Sequence, residues 1–338
     1  MANALVHTLA GLLMQNSLLS LEIVPGNIEA YLVEPPSPGQ PSREFPFLLM
    51  DGHLGVPQKI LYHLYPLALE LLNTESREDQ HDASCVILLA NPAHQTAMNT
   101  RKRLIQSGAL SAHAELNFSA MLLGSSRSAS KESILWAHRR WIFSVLYSRT
   151  IPYFKASSPG WVCSSEDPEI PPDMIEKESE LISRCCETYP RNYHAWSHYH
   201  FVVQCIHTSL RSSHPADSPY LPLFAVEFLK LRRWIGSHVS DHSAVHHSCS
   251  IISLLQSSEL PQYQPVLGPL VDGHFEHALG LVASFPSHES LWMYLRATIT
   301  LSPANANTLA SKAISRTTAL DGPLRQKFVS WVKFTGIS

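Results

Sequence analysis

Charged residues are scarce in this sequence, at 16% of 338 residues, and neither sign dominates. Lys and Arg number 25, Asp and Glu number 28, and the formal net charge is −3. The basic residues occur as scattered pairs, such as Arg139-Arg140 and Arg232-Arg233, and not as a cluster. Because neutralising nucleic-acid phosphates requires clustered Lys and Arg, this distribution argues against a nucleic-acid-binding protein. The 45% of hydrophobic residues is enough for a large buried core.

Motifs of common catalytic and metal sites are missing as well. The sequence has no glycine-rich phosphate loop and no G-x-S-x-G turn for a nucleophilic serine. Among its 19 histidines, His242 and His246 have i, i+4 spacing, but no Glu lies between them, and adjacent His247 brings no further evident ligand. We therefore expect this chain to bind no metal and no cofactor.

Cysteine usage indicates a reducing compartment. The six cysteines show no C-x-x-C spacing suited to zinc, and the adjacent pair Cys185-Cys186 cannot close an ordinary structural disulfide. Reduced thiols are the rule in the cytosol, so we expect a cytoplasmic protein.

A signal peptide or membrane span is not expected either. The stretch Ala4 to Val24 is fairly apolar, but it lacks a basic flank and includes Gln15, Asn16 and Ser17. The pattern predicts an amphipathic helix there and no membrane insertion.

The remaining signal along the chain is helical. Apolar residues follow the 3.6-residue period of a helix buried on one side at Ile134, Leu135, Ile142, Val145 and Leu146, whereas strand signals are nearly absent. Ser130, Ser240 and Ser287 are predicted to cap the helices that follow them. The sequence therefore predicts an all-α protein built from helical hairpins.

Two proline-rich stretches interrupt the helical pattern. Residues 35–43 are predicted to be a linker, and residues 151–172 a surface loop insertion. Residues 1–45 would then form an N-terminal helical segment with its linker, and residues 46–338 a single repeat domain.

A repeat runs through this domain. Five segments align on one large apolar residue: TAMNTRKRLI on Met98, ILWAHRRWIF on Trp136, HAWSHYHFVV on Trp196, SAVHHSCSII on Val245 and SLWMYLRATI on Trp292. These anchor residues are separated by 38, 60, 49 and 47 positions, the longest interval containing the proline-rich insertion. Each unit is predicted to be a helix pair that buries its apolar stripe only by stacking on its neighbours, as in a right-handed solenoid, an alpha-alpha superhelix.

Two of these strips carry a more specific motif. YPRNYHAWSH contains Pro190, Asn192, Tyr193 and Trp196 in the pattern P-x-N-Y-x-x-W, and WAHRRWIF continues it as W-x-x-R-R-W. With VSDHSAVHH and HESLW following in order, the chain resembles the repeats of the protein prenyltransferase alpha-subunit family over roughly Val86 to Thr300. The likeness is greatest to the alpha-subunit repeat-containing members of that family.

The resemblance implies a function for the whole assembly. An alpha subunit of this family pairs with a separate beta subunit, expected here to be that of Rab geranylgeranyltransferase, and that subunit holds the catalytic zinc. The heterodimer would transfer an isoprenoid, geranylgeranyl by likeness, from its diphosphate to a C-terminal cysteine thiol of an acceptor protein. This chain would be a subunit of an enzyme, inactive alone.

The resemblance also implies site residues. The family has a Lys five positions before the Trp of the second unit that faces the diphosphate, and Lys131 holds that position here; Arg191 is its counterpart in the third unit. A cation in the first turn of a helix opposes the helix dipole, which favours an anion-binding role, although a solvated Lys remains the alternative. Tyr193 and His194 keep the family pattern and are expected to line the junction with the beta subunit, or else to pack at the helix entry. Ser133 stands where the family has Tyr.

Arg139 and Arg140 have a structural interpretation. They follow Trp136 by one helical turn and are expected to form ion pairs with the adjacent unit or with the partner.

Two other functions stay open at this stage. The chain could be a helical-repeat scaffold that binds some other partner without contributing to catalysis. A stand-alone metal-dependent enzyme is a further alternative, which stoichiometric zinc in the isolated chain would favour.

Overall fold

A computed structural model describes residues 2–25, 46–148, 169–212, 218–255 and 261–337. The described residues form fifteen α-helices, which confirms the all-α prediction. Residues 35–43 and most of the predicted insertion, residues 151–168, lie outside the described residues. The helices are α1 (Ala2–Leu13), α2 (Gln58–Leu72), α3 (Arg77–Ala90), α4 (Gln95–Gln106), α5 (Ala112–Ser125), α6 (Arg127–Ser130), α7 (Ser133–Tyr147), α8 (Pro172–Thr188), α9 (Tyr193–Ser212), α10 (Tyr220–Ser237), α11 (His242–Leu255), α12 (Gln264–Ser284), α13 (Glu289–Thr300), α14 (Ala306–Arg316) and α15 (Pro323–Thr335).

A small sheet near the N-terminus corrects one prediction. The strand β1 (Ser20–Val24) pairs in parallel with β3 (His53–Pro57), and β2 (Leu48–Met50) pairs antiparallel with β3. The predicted helix over Ala4 to Val24 therefore ends at Leu13. Gly52, with φ +81°, allows the close approach before β3, because a Cβ there would meet the carbonyl oxygen of Ser17 at 2.7 Å.

The described contacts divide the chain into two compact units. The first contains Met1–Pro168 and Glu180–Ala195, and the second contains Glu169–Ser179 and Trp196–Ser338. The predicted division at residue 45 stays a prediction. No helix among the described residues is long and apolar enough to cross a membrane.

The five anchor residues occupy one position in five helices. Each is the fourth residue of its helix, counted from Gln95, Ser133, Tyr193, His242 and Glu289. All five side chains are buried: Met98, Trp136, Trp196, Val245 and Trp292. The predicted repeat is thus confirmed at the level of helix register, including the two units that lack Trp. In four units the preceding helix packs on the anchor helix, giving the hairpins α3/α4, α5/α7, α10/α11 and α12/α13.

The Trp anchors satisfy their polar atoms in a recurring way. The indole Nε1 of Trp136 donates to the carbonyl of Ser130 at 2.9 Å, and that of Trp292 donates to the carbonyl of Pro286 at 2.8 Å, in both cases six residues earlier. The Nε1 of Trp196 instead donates to Asp241 Oδ2 at 3.3 Å. Each ring is therefore buried without leaving its N–H unpaired.

The predicted helix caps were wrong in detail. The caps are Glu132 for α7 and His288 for α13, one or two residues after the predicted serines. At α11 the carboxylate of Asp241 accepts from the N–H groups of Ser243 and Ala244, each at 3.1 Å, so Asp241 takes the role predicted for Ser240.

A buried charge network joins the first two hairpins. Arg101, the seventh residue of α4, donates through Nε to both carboxylate oxygens of Glu115 on α5, at 3.0 and 2.8 Å. His138, the sixth residue of α7, shares Glu115 Oε1 at 2.7 Å. Burial opposes ionisation of Glu115, but the nearby Arg101 and His138 outweigh it and lower the pKa of the carboxyl to about 2. The predicted pairing between units is therefore made by Arg101, which the sequence reasoning did not single out.

For Arg139 the predicted pairing stays a prediction, whereas Arg140 shows no such pairing among the described residues. Arg139 is buried and donates to the carbonyl of Leu116 and to Ser119 Oγ on α5, at 2.7 and 2.8 Å, within its own hairpin. Arg140 is half-buried, and its buried Nη1 has no hydrogen-bond partner among the described residues.

The same scheme recurs in the second of the two compact units, with other residues. His198, the sixth residue of α9, shares a hydrogen bond of 2.7 Å with the buried Glu178. Tyr199, the seventh residue, donates to Glu227 on α10, which also accepts from Ser179. Polar residues at the sixth and seventh helix positions therefore join neighbouring helices through buried carboxylates.

The buried anchor position predicts that substitutions at two neighbouring residues of α13 differ greatly in their effect on the free energy of unfolding. Trp292 is 2% exposed and Met293 is 55% exposed. Trp292→Ala should lower the free energy of unfolding by about 3–5 kcal/mol, because it leaves a cavity, whereas Met293→Ala should change it by about 0.5 kcal/mol or less. Denaturant unfolding of the two variants measures this difference. Equal losses would contradict the assignment of the fourth position as the buried one.

The Glu115 network predicts both a mutational loss and a pH dependence. Glu115→Gln should cost about 3–5 kcal/mol, because the buried charge of Arg101 loses its counter-ion, whereas the exposed Glu70→Gln should be nearly neutral. Since the pKa of Glu115 is lowered from 4.5 to about 2, its stabilisation is full above pH 4.5 and is lost as the pH falls towards 2. Unfolding curves at several pH values should show a shallower acid loss for Glu115→Gln; a slope identical to that of the unmodified chain would contradict this role.

Candidate functional site

Four hydrogen bonds converge on Ser130, and two of them join it to Asn192 in the turn before α9. Ser130 Oγ donates to the carbonyl of Cys185 at 2.9 Å, and the Ser130 carbonyl accepts from Trp136 Nε1. Asn192 Nδ2 donates to the same carbonyl at 2.7 Å and to Ser130 Oγ at 3.1 Å. The amide oxygen of Asn192 accepts from the N–H of Ala195 at 3.1 Å and so caps α9. Ser130 and Asn192 are both fully buried.

This clamp fixes the positions of the two predicted cations. Lys131 directly follows Ser130, and Arg191 directly precedes Asn192. Both side chains are exposed, in contrast to the buried clamp residues. We call residues 127–132 and 189–194 the turn pair; it brings together all four predicted site residues, Lys131, Arg191, Tyr193 and His194.

Tyr189 provides an aromatic surface within the turn pair. The Lys131 ammonium lies 6.0 Å from the centre of its ring, and the Arg127 guanidinium lies 5.5 Å from it. Cations at these distances are attracted by the ring quadrupole. Arg127 is therefore a further cation of the turn pair, which sequence reasoning missed although it stands four residues before Lys131.

Arg191 adopts a backbone conformation that is rare for its residue type. Its φ is +61°, in the left-handed region, and among the described residues other than glycine only Asp51 shares a positive φ. A residue with a Cβ pays roughly 1–2 kcal/mol there. Arg191 is thus held at a position that glycine would occupy with less strain.

Tyr193 and His194 open α9 beside a fourth cation, Arg140 of α7. Tyr193 is 64% exposed, and its ring meets that of His194 edge-on at 5.5 Å. Partial burial lowers the pKa of His194 below 6.5, and the charge of Arg140 lowers it further against the opposing effect of Glu132. His194 is therefore neutral at pH 7, and its imidazole can both donate and accept hydrogen bonds.

Chemically, the turn pair is suited to binding an anion. It presents Arg127, Lys131 and Arg191, with Arg140 of α7 nearby, against the single carboxylate of Glu132, in a chain whose net charge is negative. Ser133, the first residue of α7, is exposed. The first residue of α9 is Tyr193, so α7 lacks the aromatic side chain that α9 has at the equivalent position.

The histidines considered for a metal site are separated by the fold. His242 and His246 lie on the exposed face of α11, whereas His247 is buried against the rings of Trp196 and Tyr199, at 5.4 and 4.9 Å. Within the described ranges, no group of three His, Cys, Asp or Glu side chains is arranged to bind a metal ion. The described cysteines Cys85, Cys185, Cys186, Cys205 and Cys249 carry free thiols.

Comparisons with known proteins bear on this same region. Residues 175–206, which include the turn before α9 and the first fourteen residues of that helix, match the family model described as protein prenyltransferase alpha subunit repeat. The chain is 29% identical over 301 residues to protein prenyltransferase alpha subunit repeat-containing protein 1 of Homo sapiens, covering 77% of this chain and 70% of that protein.

Two further relatives have corresponding names. Protein prenyltransferase alpha subunit repeat-containing protein 1-A of Xenopus laevis is 27% identical over 297 residues. Protein prenyltransferase alpha subunit repeat-containing protein 1 of Danio rerio is 26% identical over 295 residues. Each alignment covers 77% of this chain and 65% of the relative, so the chain spans just under two thirds of their length.

The strained backbone at Arg191 predicts a gain in stability on substitution. Arg191→Gly should raise the free energy of unfolding by about 0.5–1 kcal/mol, because relief of the left-handed strain outweighs the entropy that glycine loses on folding. Arg191→Ala removes the same side chain but keeps the strain, and is the matched control. Thermal or urea unfolding checks the order Gly above Ala; equal stability of the two variants would contradict it.

Proposed function

We propose, from its likeness to the protein prenyltransferase alpha subunit repeat family, that this chain is the helical subunit of a heterodimeric protein prenyltransferase. The proposed reaction transfers a geranylgeranyl group from its diphosphate to a C-terminal cysteine thiol of an acceptor protein, in the cytoplasm. The beta subunit of the Rab geranylgeranyltransferase is the proposed partner. The observation that carries the proposal is the convergence of Lys131, Arg191, Tyr193 and His194 at the turn pair.

The proposed reaction explains why cations lie at the turn pair. The acceptor sulfur forms a bond to C1 of the isoprenoid while the bond between C1 and the diphosphate oxygen breaks, and the diphosphate leaves with the electron pair. Negative charge therefore grows on the departing group. Fixed cations such as Lys131 and Arg191 stabilise such charge more effectively than water, because they are already oriented by the Ser130 clamp.

The metal chemistry of the reaction is assigned to the partner. Zinc in a beta subunit would supply the acceptor thiolate by lowering the pKa of the thiol. The donor groups among this chain's described residues do not fit a metal site. In the proposal, this chain binds and orients the diphosphate and the partner.

A non-catalytic scaffold is the second candidate, and Ser133 is the observation that favours it. The first residue of α7 is a small exposed Ser where the family pattern has Tyr, so one of the expected substrate-facing groups is lacking. A scaffold would use the same hairpins and the same exposed Tyr193 to bind a protein without any transfer.

The experiment is co-expression of the full chain with candidate beta subunits, followed by assay of geranylgeranyl transfer to acceptor proteins that end in cysteine. In an active complex, Lys131→Ala should lower the transfer rate about 10- to 100-fold, since one charged hydrogen bond contributes about 1.5–3 kcal/mol, and leave complex formation intact. Lys177→Ala, at an exposed Lys that pairs with Asp173 and contacts Met174 Sδ on its own helix, is the matched control.

Each outcome separates the candidates. A stable complex that performs transfer supports the subunit, and unchanged turnover of Lys131→Ala within it would remove Lys131 from the site. A stable complex without transfer favours the scaffold, and the absence of any complex contradicts the heterodimer.

A further inference from the structure

A cavity of about 410 Å³ is lined by the turn before α13, by Trp292 of α13 and by the residues that lead into α15. All of these residues belong to the second compact unit. Small-molecule sites in proteins typically have volumes of about 300–1,000 Å³. The cavity is therefore large enough to hold a ligand and not only a few water molecules.

The wall of this cavity is mainly apolar. Five of its nine lining residues have apolar side chains: Pro286, Trp292, Leu320, Pro323 and Leu324. The Nε1 of Trp292 already donates to the carbonyl of Pro286, so the indole offers a ligand its ring and no free donor. Gly322 faces open space, since a Cβ on it would meet nothing within 4 Å. The wall therefore suits a ligand with an apolar body.

Arg325 is the one basic residue of the lining. Its side chain is half-buried, and its buried Nε has no hydrogen-bond partner among the described residues. A buried polar atom without a partner does not identify a site by itself, because Ser248 Oγ has none either. At Arg325, however, the unpartnered nitrogen belongs to a guanidinium that lines a cavity of ligand size.

The first turn of α15 favours the same sign of ligand charge. Its N-cap, Gly322, has no side chain that could cap the helix, and the turn contains no acidic residue. The N–H groups of Leu324 and Arg325 are therefore not paired by a side-chain cap. Uncapped N–H groups at a helix N-terminus attract anions, which adds to the charge of Arg325.

We propose that this cavity binds a small molecule that carries a carboxylate on an apolar body. The planar guanidinium of Arg325 matches the two oxygens of the carboxylate, and the apolar body packs on Trp292 and Leu320. Asp321 is the one acidic residue of the lining and opposes such a ligand, but it is exposed, so water and salt screen its charge. The inference goes beyond the proposed function and does not rest on it, because the turn pair belongs to the first compact unit.

The test titrates the purified full chain with phenylbutyrate and, as its neutral counterpart of the same shape, phenylbutyramide. Isothermal titration calorimetry or ligand-observed NMR should show that the carboxylate binds with a Kd of about 1 mM or lower, as expected for so small a probe. The amide should bind about tenfold more weakly, because it cannot form a charged hydrogen bond with Arg325.

Three variants with a matched control locate the probe. Arg325→Gln should weaken phenylbutyrate binding about tenfold, and Asp321→Asn should strengthen it about two- to fourfold, because they remove charges of opposite sign. Ser287→Trp, at an exposed residue of the lining, should fill the cavity and abolish binding of both probes. Arg233→Gln, at an exposed Arg of α10 outside the lining, changes the net charge as Arg325→Gln does and should leave binding unchanged. Equal melting temperatures check that the variants are folded.

Four results would overturn the proposal. They are a lack of binding of phenylbutyrate, equal binding of the acid and the amide, an equal loss in Arg325→Gln and Arg233→Gln, and unchanged binding in Ser287→Trp. Because none of these measurements involves a beta subunit, failure of the cavity proposal and failure of the proposed transferase are observed separately.

Discussion

The described structure depends on one constraint, which is the burial of the side chain at the fourth position of each anchor helix, the helix that carries Met98, Trp136, Trp196, Val245 or Trp292. A helix pair cannot hide its apolar stripe by itself, so a large side chain at that position must be buried against neighbouring helices. Because an α-helix turns once in 3.6 residues, burying the fourth residue also fixes the environment of the seventh and eighth, one turn further on. In the first unit, Arg101 and Arg139 at the seventh position are buried and partnered, and Arg140 at the eighth is half-buried.

Polar groups inside the repeats divide into those that the fold satisfies and those that it does not. Glu115 is surrounded by Arg101 and His138, so its charge is compensated at the seam between two hairpins. Such networks cost desolvation and are tolerated only when every member finds a partner. Arg140 Nη1 has no hydrogen-bond partner among the described residues, so Arg140 is a candidate for contact with another molecule. Arg101, which pairs with Glu115, is expected to stabilise the fold.

The turn pair depends on the same register. Trp136 can donate to Ser130 only because its ring is buried at the fourth position, and Ser130 then meets Asn192 from a turn 62 residues later. Lys131 and Arg191 could be predicted from the motif around each Trp. Their common location could not, because it is made by hydrogen bonds between residues far apart in sequence. Arg127 and Arg140 belong to the candidate site because Tyr189 and Tyr193 lie beside them.

The sequence by itself determined the helical class, the five anchors and their equivalence, because periodicity and motif spacing are local properties of the chain. The tertiary structure decided which buried groups would meet. Glu115 carries no sign in the sequence that it will join Arg101 and His138, and β1 pairs with a strand that begins more than thirty residues later. These pairings follow from packing between distant segments, where the burial of one group depends on all its neighbours at once.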